Sequence, residues 1–308
     1  MNKKTLTRYI LAGITALVVV LLLFWKPSVL VYGIQGAGLY AAIAFPMALI
    51  LGIVGIINLA HGEFMMLGAY LAYWISTQTG LDPFLAIIPV IVAMAVVGML
   101  TYKTTINKVL SAPELNQLIL TFGIAMVVSQ VVNLIATSQP RKLSLDYVSA
   151  SATIGEMSFG TYDFIFVAAA IIFLAGLLLF LRRTKLGKAA VAVGQNPRGA
   201  RLVGINVERT YMIIFSIALG MLGIMGPLFL TSHSIFPLVG GPYTMKSFCL
   251  VAMAGIGQLQ PILWGSLALG IGESFIMSFR GYGGWADIVF FAIIVIVIVS
   301  RAYKRTDS

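Results

Sequence analysis

The stretch Leu51–Tyr70, LGIVGIINLAHGEFMMLGAY, decides the fold. Up to Gly55 and again from Phe64 it has the apolar composition of a membrane helix, but Asn58, His61, Gly62 and Glu63 lie between. Hydrocarbon would leave their polar atoms unsatisfied, so the pattern predicts an interrupted helix. Two readings are open, and they are compatible. The break is a tight cytoplasmic turn between two spans, with Asn58 and Glu63 as helix-end residues, or unwound backbone at membrane depth, buried in protein or lining a solute path, or both.

Composition supports the membrane setting. Of 308 residues 60% are hydrophobic and 10% charged, and the mean hydropathy is +1.00, far more apolar surface than one soluble domain buries. The net charge of +10 does not point to nucleic acid, because the basic residues fall in the short gaps between apolar runs, where they set orientation. Cys249 is the one cysteine, which excludes a disulfide framework and a cysteine metal site. Residues 1–25 begin basic and continue apolar like a signal peptide, but Trp25-Lys26-Pro27 provides no small-residue cleavage site, so an uncleaved first span is expected.

Apolar runs of membrane-crossing length lie near 9–25, 30–56, 64–79, 84–102, 115–137, 162–181, 210–231 and 285–300. The stretch 244–279 is long enough for two crossings and is cut at AGIGQLQP, Ala254–Pro261, by glycines, glutamines and a proline. With two crossings there, the total is about ten and both termini are cytoplasmic. Fifteen of the twenty basic residues then face the cytoplasm: Lys3, Lys4, Arg8, Lys103, Lys108, seven between Arg182 and Arg209, and Arg301, Lys304 and Arg305. Lys26, Arg141, Lys142, Lys246 and Arg280 remain outside, which obeys the positive-inside rule. The fold class is therefore an all-α polytopic membrane protein with interrupted helices, in one domain spanning 1–308. A weak internal symmetry is expected between 30–102 and 244–300, each running inward, breaking at a polar glycine-rich segment and returning.

Two loops stand out. The outer segment Ser138–Asp163, with 138–161 as its loop proper, carries Asp146, Glu156 and Asp163 with Arg141 and Lys142; it is either a plain surface loop or a docking surface for a soluble partner. The cytoplasmic loop 182–209 predicts a short helix, with Asn196 as N-cap, Pro197 in the first turn and Gly204 after the end.

Chemistry is sparse. No phosphate-binding G-x-x-x-x-G-K-[ST] loop occurs; Leu186-Gly187-Lys188-Ala189 lacks the leading glycine and the hydroxyl. His61 and Glu63 form an H-x-E, but the other histidine, His233, falls at the opposite face, so no metal site is expected. Glu63 and Glu273 read as capping or interface residues ahead of solute contacts. Ser129, Gln130 and Asn133 either line a path or join helices. Candidate path residues are Asn58, His61, Glu63, Gln130 and Gln258.

Three blocks carry a resemblance: GIINLAHGEFMMLGAY at 55–70, LGKAAVAVGQNPRGARLVGIN at 186–206 and MKSFCLVAMAGIGQLQPILWGSLALGIGES at 245–274. In order and spacing they resemble the permease subunits of branched-chain amino-acid ABC importers, and Asn58–Glu63 resembles the H-type subunit. The resemblance implies a type II-like importer permease in the bacterial inner membrane, pairing with a second homologous permease. Two cytoplasmic ATPase subunits would carry ATP and Mg, an extracytoplasmic binding protein would deliver solute, and this chain would hold no cofactor and catalyse nothing. It also implies a coupling element at the ATPase comprising Gly194, Asn196, Arg198, Ala200, Arg201, Gly204 and Ile205, whose small residues would nest in a partner groove. The span 9–25 precedes the family pattern. Ala254–Pro261 carries two glutamines where the family is richer in glycine, and relatives also carry urea and short amides, so the implied solutes are branched-chain amino acids or related small polar organic molecules. A stand-alone secondary transporter or channel is the competing class; it shares broken helices and repeats but needs no partner.

Overall fold

The computed structural model describes residues 26–154, 157–279, 281, 283–288, 290–292 and 295. The expected span 9–25 and the residues Lys3, Lys4, Arg8, Glu156, Arg280, Arg301, Lys304 and Arg305 lie outside these, as does most of 285–300. Among the described residues the chain is helical except for one small hairpin, and five helices are long and apolar enough to cross a membrane.

Helix α1, Pro27–Leu49, starts on proline and carries Pro46 inside, which removes one donor from the helical ladder. Its last turn widens to a π-helix, Ile50–Val54, ending at Gly55 in the left-handed region with φ 78°. After the extended segment 55–60, α2 runs His61–Thr79. Helix α3, Pro83–Thr101, is capped by Asp82, whose carboxylate accepts from the Phe84 N–H, and continues through a π-turn at Tyr102–Ile106 to Val109. Helix α4 is Glu114–Ala136 and α5 Phe164–Arg183, with β1 (Ser151–Ile154) and β2 (Met157–Gly160) paired antiparallel between them. Two short helices, α6 (Lys185–Gln195) and α7 (Pro197–Leu202), lead into α8, Val207–Ser232. Helix α9, Gly240–Ala254, and α10, Gln260–Met277, follow, separated by a break at 255–259.

Helices α1 and α8 are the buried centre, whereas α3, α4 and α5 show most of their apolar side chains to the surroundings, as lipid-facing helices do. Helix α8 packs antiparallel to α3, with Gly98 beside Ser216 and Met94 beside Gly223. The close approach needs small residues: a Cβ on Gly226 would land on the backbone of Gly68 and Ala69 in α2. Helix α10 lies antiparallel along α1, with Gly33 against Ile271 and the Lys26 ammonium donating to the Ser278 carbonyl at 3.2 Å.

The stretch 244–279 is divided as expected, into α9 and α10 with a break at Gly255–Leu259; neither is among the five membrane-length apolar helices. The likeness expected between 30–102 and 244–300 falls partly on residues 285–300, most of which lie outside the described ones.

The outer loop is ordered rather than plain. The hairpin is tied to α1 by the Gln35 amide donating to the Gly160 carbonyl at 2.7 Å and the Tyr32 hydroxyl donating to the Ser158 carbonyl at 3.0 Å. Arg141 and Ile235 exchange backbone hydrogen bonds of 2.8 Å. The Tyr147 hydroxyl donates to Asp82 at 2.9 Å, and burial together with that carboxylate raises its pKa, keeping it a donor.

Candidate translocation junction and coupling surface

The break at 55–60 contains a turn at 59–60, with the His61 N–H donating to the Asn58 carbonyl. His61 Nε2 lies 2.8 Å from the Ile43 carbonyl oxygen, so the chain returns from Gly55 to the middle of α1 before α2 begins. Asn58 is 1% exposed and His61 0%. The Asn58 side chain shapes the segment by accepting from the Ala60 N–H at 3.1 Å.

At this depth α2 meets α9 head to head. A Cβ on Gly62 would run into the Gly240 carbonyl, and one on Gly240 into the Gly62 carbonyl, so the contact is backbone on backbone. Side-chain capping of α2 comes from across the junction, where Thr244 Oγ1 accepts from the Gly62 N–H at 2.7 Å. Two positive helix ends therefore converge, and the Glu63 carboxylate, 6% exposed, sits in the first turn beside them. Asn58 Nδ2, His61 Nδ1 and Glu63 Oε2 are buried without partners among the described residues. Buried polar groups of this kind require an explanation, and three within six residues mark the junction as the polar heart of the bundle. The other two path candidates are elsewhere. Gln130 is exposed on α4, and Gln258 is exposed in the 255–259 break, lining a cavity of about 700 Å³ with Arg182 and Lys188.

The loop helix forms as its residues dictate. Asn196 Oδ1 accepts from the Gly199 N–H at 2.9 Å, Pro197 opens α7, and Gly204 (φ 83°) closes it, with the Ile205 N–H donating back to the Ala200 carbonyl at 3.0 Å. The expected short helix is α7, with Asn196 as its N-cap, and Gly194 belongs to the preceding helix α6, which ends at Gln195. Ala200 is not presented to a partner; it is buried with Val193 and Val207, beside Ile205 and Tyr211. Arg198 and Arg201 are exposed, and the apolar tip is Leu202 and Val203, 89% and 76% exposed. Gly194 abuts the π-turn of α1, where a Cβ on it would meet the Gly52 carbonyl oxygen at 2.9 Å. The loop thus bears directly on the segment that leads into the junction.

A second charged cluster escaped the sequence reading. Lys246 was expected outside, but it lies in the second turn of α9, 8% exposed. Its ammonium donates to Glu273 of α10 at 3.0 Å and to the Tyr40 hydroxyl of α1 at 3.1 Å, and it reaches Asp287 at 3.1 Å. The Tyr40 hydroxyl donates in turn to the other Glu273 oxygen. Glu273 is accordingly an ion-pair partner rather than an interface residue. The available signal was a lysine and a glutamate, each within an apolar run, since such residues in spans pair with one another.

Among the described residues no group of three His, Cys, Asp or Glu could hold a metal. His233 stacks on Phe229 at 4.5 Å, away from His61.

The model of the family described as "Branched-chain amino acid transport system / permease component" matches residues 29–298. This chain belongs to that family. The permease is 25% identical over 280 residues to the high-affinity branched-chain amino acid transport system permease protein LivH of Salmonella typhimurium, covering 87% of this chain and 91% of the relative. It is 26% identical to BraD of Pseudomonas aeruginosa over 88% and 92% of the two chains. It is also 26% identical to a probable LivH of Methanocaldococcus jannaschii over 86% and 87%. No solved structure matches the permease.

Proposed function

We propose that this permease is a membrane-spanning subunit of an ATP-driven importer of branched-chain amino acids or related small polar organic solutes. It forms the path with a second permease, in a type II-like arrangement of about ten crossings with both termini cytoplasmic. A binding protein delivers solute from outside, and two ATPase subunits hydrolyse ATP with Mg on the cytoplasmic side. This chain contributes no catalytic group.

One observation carries the reading: the loop thought to receive the ATPase touches, at Gly194 and Gly52, the π-turn that leads to the α2–α9 junction. A displacement of α6 and α7 is thereby handed to α1, and π-turns are frequent at functional sites. Solute passage then requires Gly62 and Gly240 to part, with Asn58, His61 and Glu63 supplying polar atoms as they do. Gln130 and Gln258 extend the polar lining only if the second permease completes it. On the cytoplasmic side Leu202 and Val203 enter the ATPase, flanked by Arg198 and Arg201, while Asn196, Ala200, Gly204 and Ile205 hold that tip in shape.

Reconstitution in liposomes tests this. The full set of permease pair, ATPases and binding protein should take up leucine with ATP inside, and this chain alone should not. Leu202→Asp should lower uptake and transport-coupled ATPase activity at least tenfold while membrane insertion stays normal. Uptake by the chain alone down an ion gradient would establish the stand-alone transporter instead.

A further inference from the structure

The cavity of about 700 Å³ at the basic end of α5 is lined by Arg182 and Lys188 on one side and by Gln258, Gln260 and Trp264 on the other. Arg182 and Lys188 are exposed, and their side chains have no hydrogen bond or ion pair among the described residues. Trp264 is 74% exposed, in the amphipathic setting that indoles take at a membrane surface.

A second groove adjoins this cavity at Trp264. Further along the same two helices this groove, of about 210 Å³, is lined by Val167, Ala170 and Ile171 of α5 and by Leu263 and Leu267 of α10, and Trp264 is shared by both. Helices α5 and α10 each pack on α1 at its floor, where Gly38 touches Val167 and Gly33 touches Ile271. Two cations and two amides thus line a cavity that shares Trp264 with a neighbouring, largely apolar groove between the same two helices.

We propose that this is a binding site for one anionic phospholipid, its headgroup phosphate between Arg182 and Lys188 and one acyl chain in the α5–α10 groove. Charge complementarity selects the headgroup, and basic pockets between membrane helices take anionic lipids in this way. The apolar slot selects a lipid over a free anion, which has nothing to place there. Arginine supplies paired donors to the phosphate oxygens, and the Gln258 and Gln260 amides add neutral donors. The proposal rests on the chain spanning a membrane and not on its transport activity, so failure of either leaves the other standing.

The test is native mass spectrometry of the full-length chain after exposure to equal amounts of phosphatidylglycerol and phosphatidylcholine. Phosphatidylglycerol should be retained in preference. Each cation near an anionic surface contributes about fivefold, so Arg182→Gln with Lys188→Gln should reduce that preference roughly 25-fold. Lys103→Gln with Lys108→Gln removes the same charge from another loop and should leave the preference intact. Equal retention of the two lipids by the unaltered chain overturns the site, and this reading requires no variant to fold. Equal loss in both double variants also overturns it, by showing diffuse charge attraction. Displacement of the lipid by inorganic phosphate identifies a free-anion site and overturns the lipid assignment.

Discussion

Lys246 shows what a single residue contributes to this bundle. A lone ammonium in an apolar setting is costly, and here it is held by Glu273, the Tyr40 hydroxyl and Asp287. Breaking a buried pair from one side leaves the other charge uncompensated, at about 3–5 kcal/mol, whereas replacing both members with apolar residues is often neutral. Lys246→Met should therefore lower the thermal unfolding midpoint in detergent sharply, and Lys246→Met with Glu273→Leu should recover most of the loss. Equal melting of the single and double variants would contradict the pairing. From sequence, Lys246 reads as one more outside charge, because orientation rules count basic residues without knowing where a helix begins. The structure starts α9 at Gly240, four residues before the start expected at 244, and places Lys246 within it. The burial of Asn58, His61 and Glu63 was legible because polar atoms in an apolar run have to be satisfied by something, and no such argument separated Gln130 or Gln258 from ordinary surface polarity.

At the scale of elements, most helices could be placed from composition and punctuation alone. Asp82-Pro83, Asn196-Pro197 and the glycines at 55, 80 and 204 all mark boundaries that the structure keeps. What composition does not carry is where a half-helix begins in depth, since that depends on a hydrogen bond from His61 to a carbonyl eighteen residues earlier. The same limitation hid the inward burial of Ala200. The α2–α9 junction provides a sharp expectation. In Gly62→Ala the added methyl would occupy the position of the Gly240 carbonyl, so the half-helices have to separate and leucine uptake in cells should fall at least tenfold. Gly176→Ala, on α5 where a Cβ meets nothing within 4 Å, should leave uptake unchanged and slightly favour the helix. Equal uptake by the two variants would remove the junction from the transport cycle.

For the whole molecule, the proposed orientation rests on charge asymmetry, with basic residues favouring the cytoplasmic side. With Cys249 replaced by serine, a cysteine at Lys304 should react with a membrane-impermeant maleimide only after the inner membrane is opened, and one at Lys142 should react in intact spheroplasts. The reverse pattern would invert the topology and with it the assignment of residues 194–205 to the ATPase. The bundle is also uneven in a way composition cannot reveal: α1 and α8 are enclosed while α3, α4 and α5 stay apolar outward, so lipid or a partner covers those faces. The contact that closes the centre is made by the peptide groups of Gly62 and Gly240, with the Thr244 hydroxyl as the side chain across it. In the proposed importer a stopper of main chain and one hydroxyl has little means of recognising one cargo from another. Selectivity must be exercised upstream, and one such plug could serve relatives with dissimilar diets.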